Sequence, residues 1–196
     1  MASNGISTIT DFYSVAQDKD FSRKNQLRVV SITSGSGITI DFSADDLVYA
    51  KTAALPERQV QTSQASFMGL DFNVTGNVKY SGSDSYAIEF FADQRFDLWN
   101  KFTEWTMQIF DDQSSTGNYF VPKSNATIKL AVVDNNLDVI KTITLVGVAC
   151  KSVSALSYDI SDAGEIQQFT SNFSYHYARY TTEKAPALSV EINVNI

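Results

Sequence analysis

Cysteine and histidine are almost missing from this chain, and proline is scarce: one Cys, one His and three Pro in 196 residues. A lone Cys150 excludes a disulfide within the chain and any cysteine-based metal site. It sits in the apolar run Val146-Gly147-Val148-Ala149-Cys150 and reads as a small buried hydrophobe, not a reactive thiol. A lone His176 excludes a histidine-rich zinc site. It lies in Tyr175-His176-Tyr177 with no serine or cysteine motif to partner it, so it reads as a structural residue on a strand. The first residues, Met1-Ala2-Ser3-Asn4-Gly5-Ile6-Ser7-Thr8, have neither a basic stretch nor an apolar h-region. No apolar run reaches the ~20 residues of a membrane span. The expectation is a protein made and kept soluble in a cytoplasm. Basic charge is also short, with a net charge of −7. Gripping DNA relies on Lys and Arg releasing counterions, so this balance argues against a DNA-binding protein.

Phosphate loops, nucleophile elbows and metal-ligand clusters are missing too. Ser34-Gly35-Ser36-Gly37 lacks the Lys-Ser/Thr ending of a phosphate cradle. Asp134, Asn136 and Asp138 echo a calcium loop. Its sixth position holds Val139 instead of glycine, and its twelfth Leu145 instead of glutamate, so a hairpin turn is the better reading. The pairs Asp45-Asp46 and Asp111-Asp112 are adjacent in sequence. General acid/base work needs carboxylates facing each other across a cleft, so these read as solvated loop residues. The acidic run from Asp159 to Glu165 reads as a turn. The expectation is no enzyme, no cofactor and no metal.

What is present favours strands. Tyr and Phe are plentiful, at 9 and 13, and apolar residues make up 43 %. The length fits a single domain, 1–196, with an N-terminal arm over 1–25 and a C-terminal extension strand over 181–196. In the arm, Thr10 to Asp18 forms a short helix with Phe12, Val15 and Ala16 inward. A strand over Gln26–Thr33 turns at the Gly/Ser run into a second strand carrying Ile38, Ile40 and Phe42. Asp45 to Ser66 is polar and long, an extended hairpin or a projecting loop. Leu70, Phe72, Val74, Val78 and Tyr80 share one parity around Gly76, which predicts a strand with a bulge there. Tyr86, Ile88 and Phe90 continue the pattern.

One helix stands out, from Gln94 to Ile109, with Asp93 as N-cap. Phe96, Trp99, Phe102 and Trp105 make its apolar face, which predicts a core helix packed across a sheet. Further strands follow at Ile128–Val132, Ile140–Cys150 and Phe169–Tyr177. Leu188, Val190, Ile192, Val194 and Ile196 alternate cleanly with polar residues. A period of two that regular implies pairing within the chain or with a neighbour.

The order of these features carries a resemblance. Ala53-Ala54-Leu55-Pro56-Glu57-Arg58, then Phe67-Met68-Gly69, then alternating strands and one aromatic helix resembles the tail tube proteins of contractile-tailed bacteriophages. Phe21-Ser22-Arg23-Lys24 and Phe173-Ser174-Tyr175-His176-Tyr177 extend it to roughly residues 10–180. Lys24 stands where the family commonly has proline, and Ala178 where a tryptophan often follows. The resemblance implies a mainly β fold of two packed β-sheets forming a barrel with one flanking α-helix. It implies a structural virion protein, assembled in the host cytoplasm. Six copies form a ring, and rings stack into the inner tail tube, the conduit for DNA ejection. Its partners are the sheath outside, baseplate and tail-terminator proteins at the ends, and genomic DNA passing without specific binding. A tube-initiator or terminator at the baseplate or neck, or a tube protein of another contractile injection system, shares the fold. Type VI secretion tube proteins use it as well. A β-rich sugar-binding module is the alternative from another class. Contact between rings is expected on the polar segment, at Leu55, Pro56, Glu57 and Arg58 and at Phe67, Met68 and Gly69.

Overall fold

The computed structural model describes residues 9–19, 21–117, 125–159, 161 and 164–181. The alternating segment 188–196 lies outside the described residues. The elements are α1 (Ile9–Lys19), β1 (Leu27–Thr33), α2 (Ala44–Val48), β2 (Ala50–Thr52), β3 (Glu57–Phe67), β4 (Leu70–Ser81), β5 (Tyr86–Phe91) and α3 (Asp97–Ile109). There follow β6 (Phe110–Asp111), β7 (Thr116–Gly117), β8 (Thr127–Val133), β9 (Val139–Val146), β10 (Ala149–Val153), β11 (Gln168–Ser174) and β12 (Tyr177–Thr181).

Two four-stranded antiparallel sheets hold the core, ordered β1-β8-β9-β12 and β10-β11-β5-β2. Ile128, Leu130, Ile143 and Leu145 of the first sheet and Ile88, Phe90, Phe169 and Phe173 of the second join one buried cluster. No closed barrel is found among the described residues, because β1 and β2 end their sheets without pairing to each other.

The sheets are linked at one side by two crossings. The segment expected as one strand, Ile140–Cys150, is two. It leaves the first sheet at Gly147 and enters the second as β10. Phe169–Tyr177 likewise divides at Tyr175-His176. Inward parity switches at both places, from Ile143 and Leu145 to Val148 and Cys150, and from Phe173 and Tyr175 to Ala178. Gly147 has φ 73°, and a Cβ there would stand 2.7 Å from His176 Nδ1. Only glycine fits that backbone against the imidazole. The His176 amide donates to the Val146 carbonyl at 2.9 Å, so the histidine ties the two crossings together. Cys150 is buried beside them, and burial pushes its thiol up to about 12, which leaves it protonated and unreactive.

α3 begins later than its sequence predicts. Phe96 takes a left-handed conformation at φ 59° and is the N-cap residue, half-buried and edge-on to Tyr158, not part of the helix. Asp93 still serves the helix start, because its carboxylate accepts from the Asp97 and Leu98 amides at 3.1 and 3.3 Å. Phe102 and Trp105 are fully buried. Phe102 meets the rings of Phe42, Phe90, Phe173 and Phe169 at centroid distances of 4.8, 5.0, 5.7 and 6.1 Å. Trp99 is half-buried, with Nε1 donating to the Ser154 carbonyl at 3.1 Å.

Three other expectations are corrected. Residues 38–42 form no strand, apart from a single bridge between Thr33 and Asp41. Ser34 Oγ lies 3.2 and 3.0 Å from the Ile38 and Ile40 carbonyls, groups that a strand would spend on its neighbour. Asp46 is no idle loop carboxylate. It closes a capping box with Ser43 on α2 and meets Lys101 Nζ at 2.6 Å. Burial opposes its charge, but Lys101 and the Ser43 donors outweigh that and hold its carboxyl below the usual value. In α1, Phe12 and Val15 point to solvent, and only Ala16 is half-buried. Phe12 stacks on Phe21 at 5.8 Å instead of reaching the core.

Candidate functional site

The expected contact residues fall on one long hairpin, β3–β4. Every residue of β3 is exposed, as is β4 up to Lys79. It pairs from Glu57↔Ser81 to Phe67↔Leu70. The root is anchored and the tip is free. At the root, the Tyr86 hydroxyl donates to the Ala54 carbonyl, Tyr180 to Pro56 at 3.2 Å and Tyr80 to Ala178 at 3.2 Å. Burial raises the Tyr86 phenol above its usual value, so it stays a donor. Pro56 is buried there, and it separates β2 from β3 where no ladder hydrogen bond is needed. Leu55, Glu57 and Arg58 beside it are exposed.

Phe67, Met68 and Gly69 form the tip. Eleven residues of β3 put it roughly 35 Å from the root at the usual strand rise. Leu55–Arg58 and Phe67–Gly69 therefore cannot make one continuous contact patch. Met68 and Gly69 have φ 51° and 78°, the pair of positive values that a two-residue type I′ loop needs. Asn or Gly is favoured at the first position. A methionine there costs ~1–2 kcal/mol, and its side chain, 89 % exposed, recovers nothing within the chain. The strained position thus carries an exposed apolar side chain.

Gly76 is a bulge: Gln61 pairs with Asn77 and Thr62 with Thr75. Its consequence reverses the parity reading. Residues directly opposite share a face. Toward the tip, Leu70, Phe72 and Val74 lie with Phe67, Ala65 and Ser63. Toward the root, Val78 and Tyr80 lie with Val60 and Arg58, on the other face. The single apolar row of the sequence is two patches on opposite faces. Phe67, Leu70, Phe72 and Val74 are all at least half exposed. A two-stranded hairpin with both faces in water is marginal by itself. Gln59 to Ser66 carry only Val60 and Ala65 as apolar residues, on opposite faces, so no alternation separates the expected hairpin from a projecting loop.

Among the described residues no group of carboxylates, histidines and cysteines is arranged to hold a metal, and no helix is long and apolar enough to cross a membrane.

No family model and no curated protein sequence matches the chain. Solved structures do. The tube-terminating cap of the anti-feeding prophage superposes with a TM-score of 0.56 at 12 % identity, over 84 % of this chain and 93 % of that one. A chain of the sheath/tube terminator of an extracellular contractile injection system, PVC, gives 0.53 at 10 % identity, over 83 % and 98 %. The chain has the fold of contractile-injection-system tube proteins. A chain of the PVC sheath–tube complex in its extended state supports this, with 0.50 at 13 % identity over 90 % and 100 %. Near-complete coverage of those chains means that the likeness extends over the whole tube fold and is not confined to one sheet.

Proposed function

We propose that this protein is the subunit of the inner tube of a contractile phage tail. Six copies form a ring and rings stack into a hollow tube. A sheath surrounds it, baseplate and terminator proteins close its ends, and genomic DNA passes down the lumen on ejection. The observation that carries this reading is the β3–β4 hairpin, an exposed arm with an apolar, strained tip, on a fold shared with tube-type proteins. Such an arm is costly in a monomer and useful in a stack. The role is a passive conduit, with no turnover. A second reading, a tube-terminating cap, is favoured by the likeness to the prophage cap and the PVC terminator. Negative-stain microscopy of the purified chain separates the two. Stacked rings are expected for a tube subunit and isolated rings for a cap. Monomers across a wide concentration range would overturn both.

The charge suits the role. Six copies at −7 carry about −42 per ring. With part of this charge on the channel wall, DNA is repelled and slides, whereas a basic wall would bind phosphates and stall it. The assembled protein should show no salt-dependent affinity for duplex DNA in a filter-binding titration. Tight binding at low salt that collapses as salt is added would contradict an acidic channel.

A further inference from the structure

Opposite the two crossings, the sandwich is open. A groove of about 530 Å³ runs between the ends of the sheets, lined by β1, β2 and α2. Val29, Leu47, Val48 and Leu137 make it apolar, and Val48 is 80 % exposed. β1 and β2 are terminal strands, and beyond the single Thr33–Asp41 bridge no described strand pairs with their outer edges. The groove therefore offers both an apolar floor and two strand edges whose backbone groups, the Leu27 carbonyl held by Arg28 aside, have no strand partner among the described residues. A helix covers the first and leaves the second unsatisfied. A strand satisfies both. This disfavours α1 as the occupant, although its Ile9, Phe12 and Val15 are exposed.

We propose that residues 188–196 of a neighbouring copy add as a strand in this groove. Leu188, Val190, Ile192, Val194 and Ile196 give one apolar face for the floor, with Ser189, Glu191, Asn193 and Asn195 on the other. The charges match. Of the groove's charged lining residues, Lys51 is already paired with Glu89 at 3.3 Å, which leaves Arg28 to meet the segment's one charge, Glu191. The Arg28 guanidinium bonds the Asn25 and Leu27 carbonyls at 2.7 and 3.0 Å, with no carboxylate partner among the described residues.

The chain's own geometry favours a neighbour as donor. Thr181 is level with Arg28 through the pairs Thr181↔Thr142, Thr142↔Ala131 and Ala131↔Arg28. Three strand spacings, roughly 14 Å, separate them. The seven steps from Thr181 to Leu188 span at most ~25 Å, so the same chain's segment can reach the groove and the sense of the ladder decides the donor. β12 runs antiparallel to β1, so the same chain's segment, turning back from Thr181, would lie parallel to β1, the weaker ladder. A neighbour's segment is free to pair antiparallel. One strand given and one groove filled per copy is a heterologous contact, which makes rings or stacks. The choice of a neighbour as donor rests on the tube reading.

The test uses full-length chains. One variant carries Leu137→Cys or, in turn, Thr52→Cys; the other carries Val190→Cys. Cys150, buried, stays silent under mild oxidation. Mixing should give a disulfide-linked heterodimer with at least one groove position. Adding Val48→Asp, at an exposed site that spares the fold, or Glu191→Arg should cut its yield at least tenfold. A double variant that forms only a within-chain disulfide at high dilution would overturn the neighbour as donor, and no disulfide of either kind would overturn the docking. Chains that cross-link yet form no rings under the microscope would support the docking while removing the tube reading.

Discussion

Truncating Phe102 to alanine should destabilise the protein by about 3–5 kcal/mol, the range for removing a fully buried phenylalanine. The side chain has no exposed surface and touches rings from both the second sheet and the 38–42 segment. Those rings are fixed by their own strands and by Ser34, so the site cannot collapse and the full cavity cost remains. Urea denaturation of the two proteins, read as a shift in midpoint at constant slope, measures it. A loss below about 1 kcal/mol would mean that α3 does not pack across the sheets.

Removing the outer part of the hairpin should have the opposite profile: little effect on folding, and loss of assembly. Replacing residues 62–76 with Asn-Gly joins Gln61 to Asn77, which are already paired, and supplies a favoured two-residue turn. No residue removed belongs to the buried core. The midpoint should shift by less than about 1 kcal/mol, as for surface changes generally. Rings should no longer stack, because Phe67, Met68, Leu70, Phe72 and Val74 go together. Long tubes formed by this variant would place the contact between rings elsewhere. Restoring the tip with Met68→Asn separates the two contributions of that residue. Asparagine relieves the turn strain, so the isolated chain should gain stability while stacking weakens.

The sequence made some of this legible and hid the rest for identifiable reasons. α3 was visible because Trp99, Phe102 and Trp105 recur at helical spacing, a signal contained within about two turns. Its start was misjudged because Asp93 is a good cap. Nothing local reveals that Phe96 turns left-handed and moves the first turn beyond it. The glycine bulge at Gly76 was readable, but not its effect. Parity counted along one strand ignores the face switch that appears only once Gln61 and Thr62 are matched to Asn77 and Thr75. β3 gave no alternation because neither face is buried, and alternation records burial more than it records strand.

By itself the sequence determined a strand-rich chain, a core helix around Phe102 and Trp105, and an acidic balance. Each follows from residue type or from spacing within a few positions. The tertiary structure alone decided which strands share a sheet, where β9 and β11 cross into the facing sheet, which hairpin face carries which patch, and that β1 and β2 leave a groove between them. These depend on pairs such as Leu27 with Val132 and Phe169 with Phe90, far apart in the chain. A strand's apolar period fixes which side faces a core but is satisfied by many partners and registers. The choice among them is made by packing the whole set at once, around a glycine too close to His176 to be anything else.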